Sequence, residues 1–219
     1  SDADVILSSS DGLDFYAHKS ILCFASAFFT DMFSLPQPLP ADSNSLHASS
    51  HIDITEGSST LACLLRQCYS IEDPVLKDLE EVKSFLLAAL KYQMHEAISW
   101  GESCLTGFVA KFPLRIYAIA CSLKLEGAAA SATHDSSSLS GTDVMSTLEE
   151  DVPEMETLSA GAYHRLLAYW SRGSKECAIT QFCKPPTTVT QPASEVILSS
   201  HLFMDCSEAD ILIISCDDG

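Results

Sequence analysis

Apolar and polar residues alternate every second position at the start of the chain and every three to four positions from Lys19 onward. Ala3 to Ser8 is short, apolar and β-branched, which predicts a strand. The Asp-Gly of SSDG follows, and in LDFYAH the residues Leu13, Phe15 and Ala17 then alternate with Asp14, Tyr16 and His18. Two period-2 runs about an Asp-Gly predict a β-hairpin. Beyond Lys19 the residues Ile21, Leu22, Ala25, Phe28, Phe29, Met32 and Phe33 recur at helical spacing and mark one buried face. Ser26 inside this run is a capping residue, so two short helices are expected rather than one. Pro36–Ser50 has no period and is rich in Pro, Ser and Asn, a loop. HIDIT predicts a brief strand, and Ser58 or Ser59 opens a helix over Thr60–Tyr69 carrying Leu61, Leu64, Leu65 and Cys68.

After Pro74 the pattern is helical almost throughout. Leu79–Gln93 is strongly amphipathic, with Glu80 and Glu81 placed for the N-terminal dipole. Met94–Val109 and Leu114–Leu125 predict two more helices, the second with Pro113 at or just ahead of its start. Ala128–Asp151, rich in Ser, Ala and acids, reads as flexible, and the five acids of EEDVPEME as a solvated approach to a helix. Ala160–Gly173 is a last apolar helix ending on glycine, and Lys184–Pro192 is linker-like with three prolines. Strand, hairpin, helix pair, strand and then helices describe an α+β fold, a small sheet flanked by a cluster of short helices, rather than a repeating βαβ layout.

Composition narrows the partners. The 219 residues are 47% hydrophobic, enough for a sizeable core, and no apolar run has the ~18 residues of a membrane span. No basic-then-apolar leader is visible at the start. Twelve basic against 30 acidic residues give a net charge of −18, a poor surface for nucleic acid. Nine cysteines, an odd number with no C-x-x-C, sit largely in apolar stretches, which favours free thiols and a cytoplasmic or nuclear location. His47-x-x-x-His51 lies in a Ser-rich loop without acidic or Cys neighbours at ligand spacing, so no metal or cofactor is expected. Glycine-loop, Gly-x-Ser-x-Gly and H-E-x-x-H motifs are missing, and nothing in the sequence places its Ser, His and Asp residues together, so no catalytic site is expected.

The stretch DADVILSSSDGLDFYAHKSILCFASAFFTDMFS resembles the opening of the BTB/POZ domain. Asp4, Phe15, His18-Lys19, Leu22, Ser26, Phe28-Phe29 and Phe33 fall in that family's order, LLRQCYS resembles its third helix and closing Tyr, and the KYQM helices resemble its closing pair. The resemblance spans about residues 1–110. The Pro-Gln-Pro loop, AALKYQM and PLRIYAIA are most similar to fungal, basidiomycete-type BTB-domain proteins, in which helices such as AGAYHRLLAYW follow the core.

The resemblance implies binding of proteins without chemistry. It implies homo- or heterodimers through the first helices and first strand, with Ile21, Phe28, Phe29 and Met32 on the dimer face and Asp4 and Lys19 in a shared charged pocket. An ordinary internal pairing accounts for Asp4 and Lys19 equally well. His18 reads as a structural residue closing the second strand. For the adaptors of cullin-type ubiquitin ligases the family uses an apolar-x-Glu element, whose spacing is met by Ile54-Thr55-Glu56, slightly early in the chain. A component of a transcriptional regulator acting through dimerisation is the alternative. The expected organisation is a BTB/POZ domain over 1–110, a helical extension over 111–183, a linker over 184–204, and a segment over 205–219. In that last segment SEADILIISCDDG repeats the opening SDADVILSSSDG, as the start of a second, truncated copy would.

Overall fold

A computed structural model describes residues 3–35, 50–69, 71–72, 74–136, 152–172 and 181–184. Strands β1 (Val5–Ser8) and β2 (Asp14–Ala17) form the expected antiparallel hairpin, pairing Val5 with Ala17 and Leu7 with Phe15. Its turn places Gly12 at φ +83°, a left-handed conformation that glycine adopts without steric cost. Strand β3 (Ser50–Asp53) adds to the other side of β1 in parallel, giving the order β2-β1-β3. Val5 and Leu7 turn to the interior, as the period-2 pattern requires.

Helices α1 (Lys19–Ala25) and α2 (Ala27–Ser34) break at Ser26, whose hydroxyl accepts the Phe29 N–H at 3.1 Å. Helix α3 (Ser58–Cys68) opens at Ser58, one of the two expected positions, and is capped from a distance. The Asp11 carboxylate, in the hairpin turn, accepts both the Ser58 N–H (2.9 Å) and the Ser58 hydroxyl (2.6 Å). These bonds hold the Asp11 carboxyl at about 2, below the usual carboxylate range. One short turn thereby fixes both the hairpin and the start of a helix 47 residues away.

Helix α4 (Leu79–Lys91) is capped by Asp78, which accepts the Glu81 N–H at 2.9 Å, while Glu81 accepts the Lys77 N–H at 2.7 Å. The helix is a wall between two apolar clusters. Phe85, Ala88 and Ala89 face the sheet, α1, α2 and α3, whereas Leu79, Val82 and Leu86 face the helices that follow. Helix α5 (His95–Thr106) packs closely on α4 at Gly101, where an added Cβ would lie 2.7 Å from a Leu86 methyl carbon. Glycine inside a helix costs about 1 kcal/mol against alanine, so its use here follows from the close approach. Gly101→Val is expected to destabilise the fold by about 1–3 kcal/mol, read as a lower urea midpoint, because the overpacked α4–α5 contact must shift.

The helical extension consists of α6 (Pro113–Leu123), α7 (Glu126–Ser136), a 3-10 turn (Pro153–Thr157) and α8 (Ala160–Arg172). Pro113 stands at the start of α6, as expected. Two expectations fail here. The stretch read as flexible from Ala128 is helical through Ser136, because Ala128, Ala129 and Ala132 are small enough for α7 to lie directly against α5 and α6. The acidic run read as solvated carries a buried residue, Glu154, whose carboxylate is held by Arg115 at 2.9 Å (Nε) and 2.5 Å (Nη2). Phe182 packs edge-on against Tyr117 and Tyr169, so the strap 181–184 closes the end of this core. No helix among the described residues is long and apolar enough to cross a membrane. The 205–219 repeat and nearly all of the linker lie outside the described residues.

Candidate interaction surface

The α1–α2 pair is braced from below by α4. Ser26 donates its hydroxyl proton to the Tyr92 carbonyl at 2.5 Å while capping α2. The Tyr92 ring stacks on Phe29 (5.3 Å, 12°) and meets Phe28 edge-on (5.4 Å, 69°). Leu22 and Phe29 are buried in this support, whereas Ile21, Phe28 and Met32 are half-buried. Phe29 therefore belongs to the protomer's own core.

Phe24, absent from the sequence-derived set, is the most exposed large apolar side chain on the described surface, at 93%. It lies off the apolar stripe that Leu22 and Ala25 define on α1, which is the sequence signal for it. Phe24 and Ile71, itself 56% exposed, line one groove of about 800 Å³ together with Cys23, Gln67, Met94 and His95. Exposed apolar side chains converging on one groove are the usual mark of a surface that binds another macromolecule.

Asp4 and Lys19 do meet. The contact is a carboxylate oxygen accepting the backbone N–H of Lys19 at 2.7 Å, so Asp4 caps the first turn of α1. The Lys19 ammonium extends over the Phe33 ring, 5.5 Å from its centroid. His18, before α1, donates its backbone N–H to the Tyr69 hydroxyl at 2.8 Å, with its ring Nδ1 at 2.9 Å from the same oxygen. This ties the hairpin to the end of α3, the structural role expected of it.

Ile54 and Glu56 sit elsewhere, between β3 and the end of α4. Ile54 is buried. Glu56 accepts the Lys91 ammonium at 2.8 Å and the Tyr92 hydroxyl. Burial pushes the Glu56 carboxyl up, but these two donors outweigh it and leave it lowered. The Tyr92 phenol is pushed up to about 12, chiefly by burial and then by its bond to Glu56.

The structure also brings together Ser, His and Asp residues that nothing in the sequence placed near one another. Ser8, Asp14, His51 and Asp53 share one face across β2, β1 and β3. Ser8 Oγ lies 2.8 Å from His51 Nε2, but its hydroxyl proton is donated to Asp14. The Asp53 carboxylate stands 3.8 Å from His51 Nδ1, beyond hydrogen-bond reach, and 93% exposed. A nucleophile needs its proton taken by a base that a third group orients, and this water-exposed arrangement does neither. His47 lies outside the described residues, and no group of three metal-ligating side chains occurs among the described ones.

Comparison with known proteins fits this geometry. Residues 1–106 match the family model of the BTB/POZ domain. No curated protein matches the chain, so the affinity to fungal proteins has no relative behind it.

Proposed function

Because residues 1–106 are a BTB/POZ domain, a protein–protein interaction module, we propose that two copies associate through the α1–α2 pair and recruit further proteins. Ile21, Phe24, Phe28 and Met32 make the contact, Phe29 supports it from beneath, and Asp4 and Lys19 flank it. The exposure of Phe24 carries this reading: a phenylalanine left 93% in water is explained by a surface that covers it. In this reading residues 1–110 supply the contact and the 111–183 extension stiffens α4 and α5 from behind.

The cullin-adaptor role rests on Ile54 and Glu56 being available to a partner. Ile54 is buried and Glu56 is occupied by Lys91 and Tyr92, so the adaptor role forms no part of this proposal. A place in transcriptional regulation would come through whatever the pair recruits. Sedimentation velocity of the full chain across roughly 1–100 μM, the range of ordinary weak-to-moderate association, is expected to give the mass of two chains. A single-chain mass throughout that range would overturn the association.

A further inference from the structure

We propose that Cys121 and Cys183 are a peroxide-sensitive thiol pair that closes into a disulfide and locks the strap 181–184 onto the helical extension. The two residues are 62 positions apart, yet their sulfurs stand 4.0 Å from each other. Both are half-buried free thiols, neither sealed in the core nor loose on the surface. Backbone contacts fix the pair from both sides. The Cys183 sulfur lies 3.7 Å from the Ala120 carbonyl on α6, and the Cys121 sulfur 3.9 Å from the Phe182 carbonyl on the strap.

The strap is itself well held. Arg165 of α8 donates Nε–H to the Phe182 carbonyl at 2.8 Å, and Glu126 of α7 accepts the Cys183 N–H at 3.0 Å and the Phe182 N–H. The Phe182 ring is buried between Tyr117 and Tyr169. Closure shortens the 4.0 Å separation of the sulfurs to a bond of about 2.05 Å between two segments already held together.

The surroundings also divide the labour between the sulfurs. Cys183 donates its S–H toward Cys121, which raises the Cys183 thiol and lowers that of Cys121. Burial and the charge of Glu126 oppose this lowering at Cys121, and the Arg165 guanidinium offsets only part of the Glu126 charge. Cys121 is then the attacking sulfur and Cys183 the resolving one. The Cys121 sulfur bonds to one oxygen of hydrogen peroxide, the O–O bond breaks, and the other oxygen leaves as water with the thiol proton. Cys183 next attacks the sulfenic sulfur, the S–S bond forms, the S–O bond breaks, and a second water leaves with the Cys183 proton. Two thiols lose two electrons and one peroxide is reduced to two waters.

The bond would enclose α7, the 3-10 turn and α8 in one loop, so oxidation is expected to raise the melting temperature by about 5–10 °C through loss of chain entropy in the unfolded state. The test is peroxide treatment of the full chain, alkylation of remaining thiols, and peptide mapping. The expected result is a Cys121–Cys183 cross-linked peptide lighter by two hydrogens, formed within the folded protein and reversed by dithiothreitol. In Cys183→Ser the sulfenic acid on Cys121 should persist and be trapped by dimedone, a readout that does not depend on the bond. Recovery of Cys121 and Cys183 as separately alkylated peptides, or cross-linked to other cysteines instead, would overturn the proposal. Circular dichroism of Cys183→Ser and Cys121→Ser confirms that the variants are folded when tested.

Discussion

Phe85→Ala is expected to lower the stability of the protein by about 3–5 kcal/mol. Phe85 is 1% exposed at the centre of α4 and meets Trp100 edge-on, with ring centroids 5.1 Å apart. It belongs to the cluster that joins the sheet to α1, α2 and α3, and it also lies against the Gly101 contact. Because Phe85 lies on the side of α4 that faces the sheet and the first helices, a void at this position weakens the support of the α1–α2 pair. Against a total of about 5–15 kcal/mol for a typical domain, this is about a fifth of the whole or more. Urea unfolding followed by circular dichroism should show a much lower midpoint with little change in slope. A loss below about 1 kcal/mol would mean that the site collapses without cost, contrary to its packing.

The second large effect concerns Arg115. Its guanidinium bridges Glu80 at 2.8 Å on α4 and the buried Glu154 in the 3-10 turn, with Lys83 3.6 Å from the same Glu154 carboxylate. Arg115→Ala leaves Glu154 buried with only the more distant Lys83, at an expected cost of about 2–4 kcal/mol. Glu154→Gln, which keeps the shape and drops the charge, should cost less than Arg115→Ala. The pH dependence follows from the same contact. Bonding from Arg115 holds the Glu154 carboxyl below its usual value of 4.5. A lowered folded-state value stabilises the fold above the unfolded value, so that stability is lost as pH falls below about 4.5. The wild type should therefore lose stability more steeply than Arg115→Ala between pH 5 and about 3. Parallel curves in urea titrations across that range would show that Glu154 takes no part.

Elements whose cause is local were legible in the sequence. The Asp-Gly turn, the break at Ser26 and the start of α6 at Pro113 each depend on residues within one or two turns. Features whose cause is distant were not. The cap on α3 comes from Asp11, which reads locally as a turn residue only. Helix α7 was hidden because its packing face is made of alanines, which leave almost no amphipathic contrast against serine and threonine. Glu154 read as solvated because its partner Arg115 lies 39 positions away. In the candidate surface, Asp4 meets Lys19 through the backbone amide while the Lys19 ammonium lies over Phe33, a contact that residue types alone do not reveal. Phe24 leaves no mark in the periodic pattern, because it stands off the stripe that Leu22 and Ala25 define on α1.

Sedimentation equilibrium of Phe24→Asp beside Leu87→Asp separates association through the α1–α2 pair from association through another exposed apolar residue. Leu87 is also an exposed apolar residue, 50% exposed, but it stands on α4 toward the helical extension. Phe24→Asp is expected to sediment as a single chain with its fold unchanged, while Leu87→Asp remains associated like the wild type. Phe24→Asp remaining fully associated at the same concentrations would contradict an association through the α1–α2 pair.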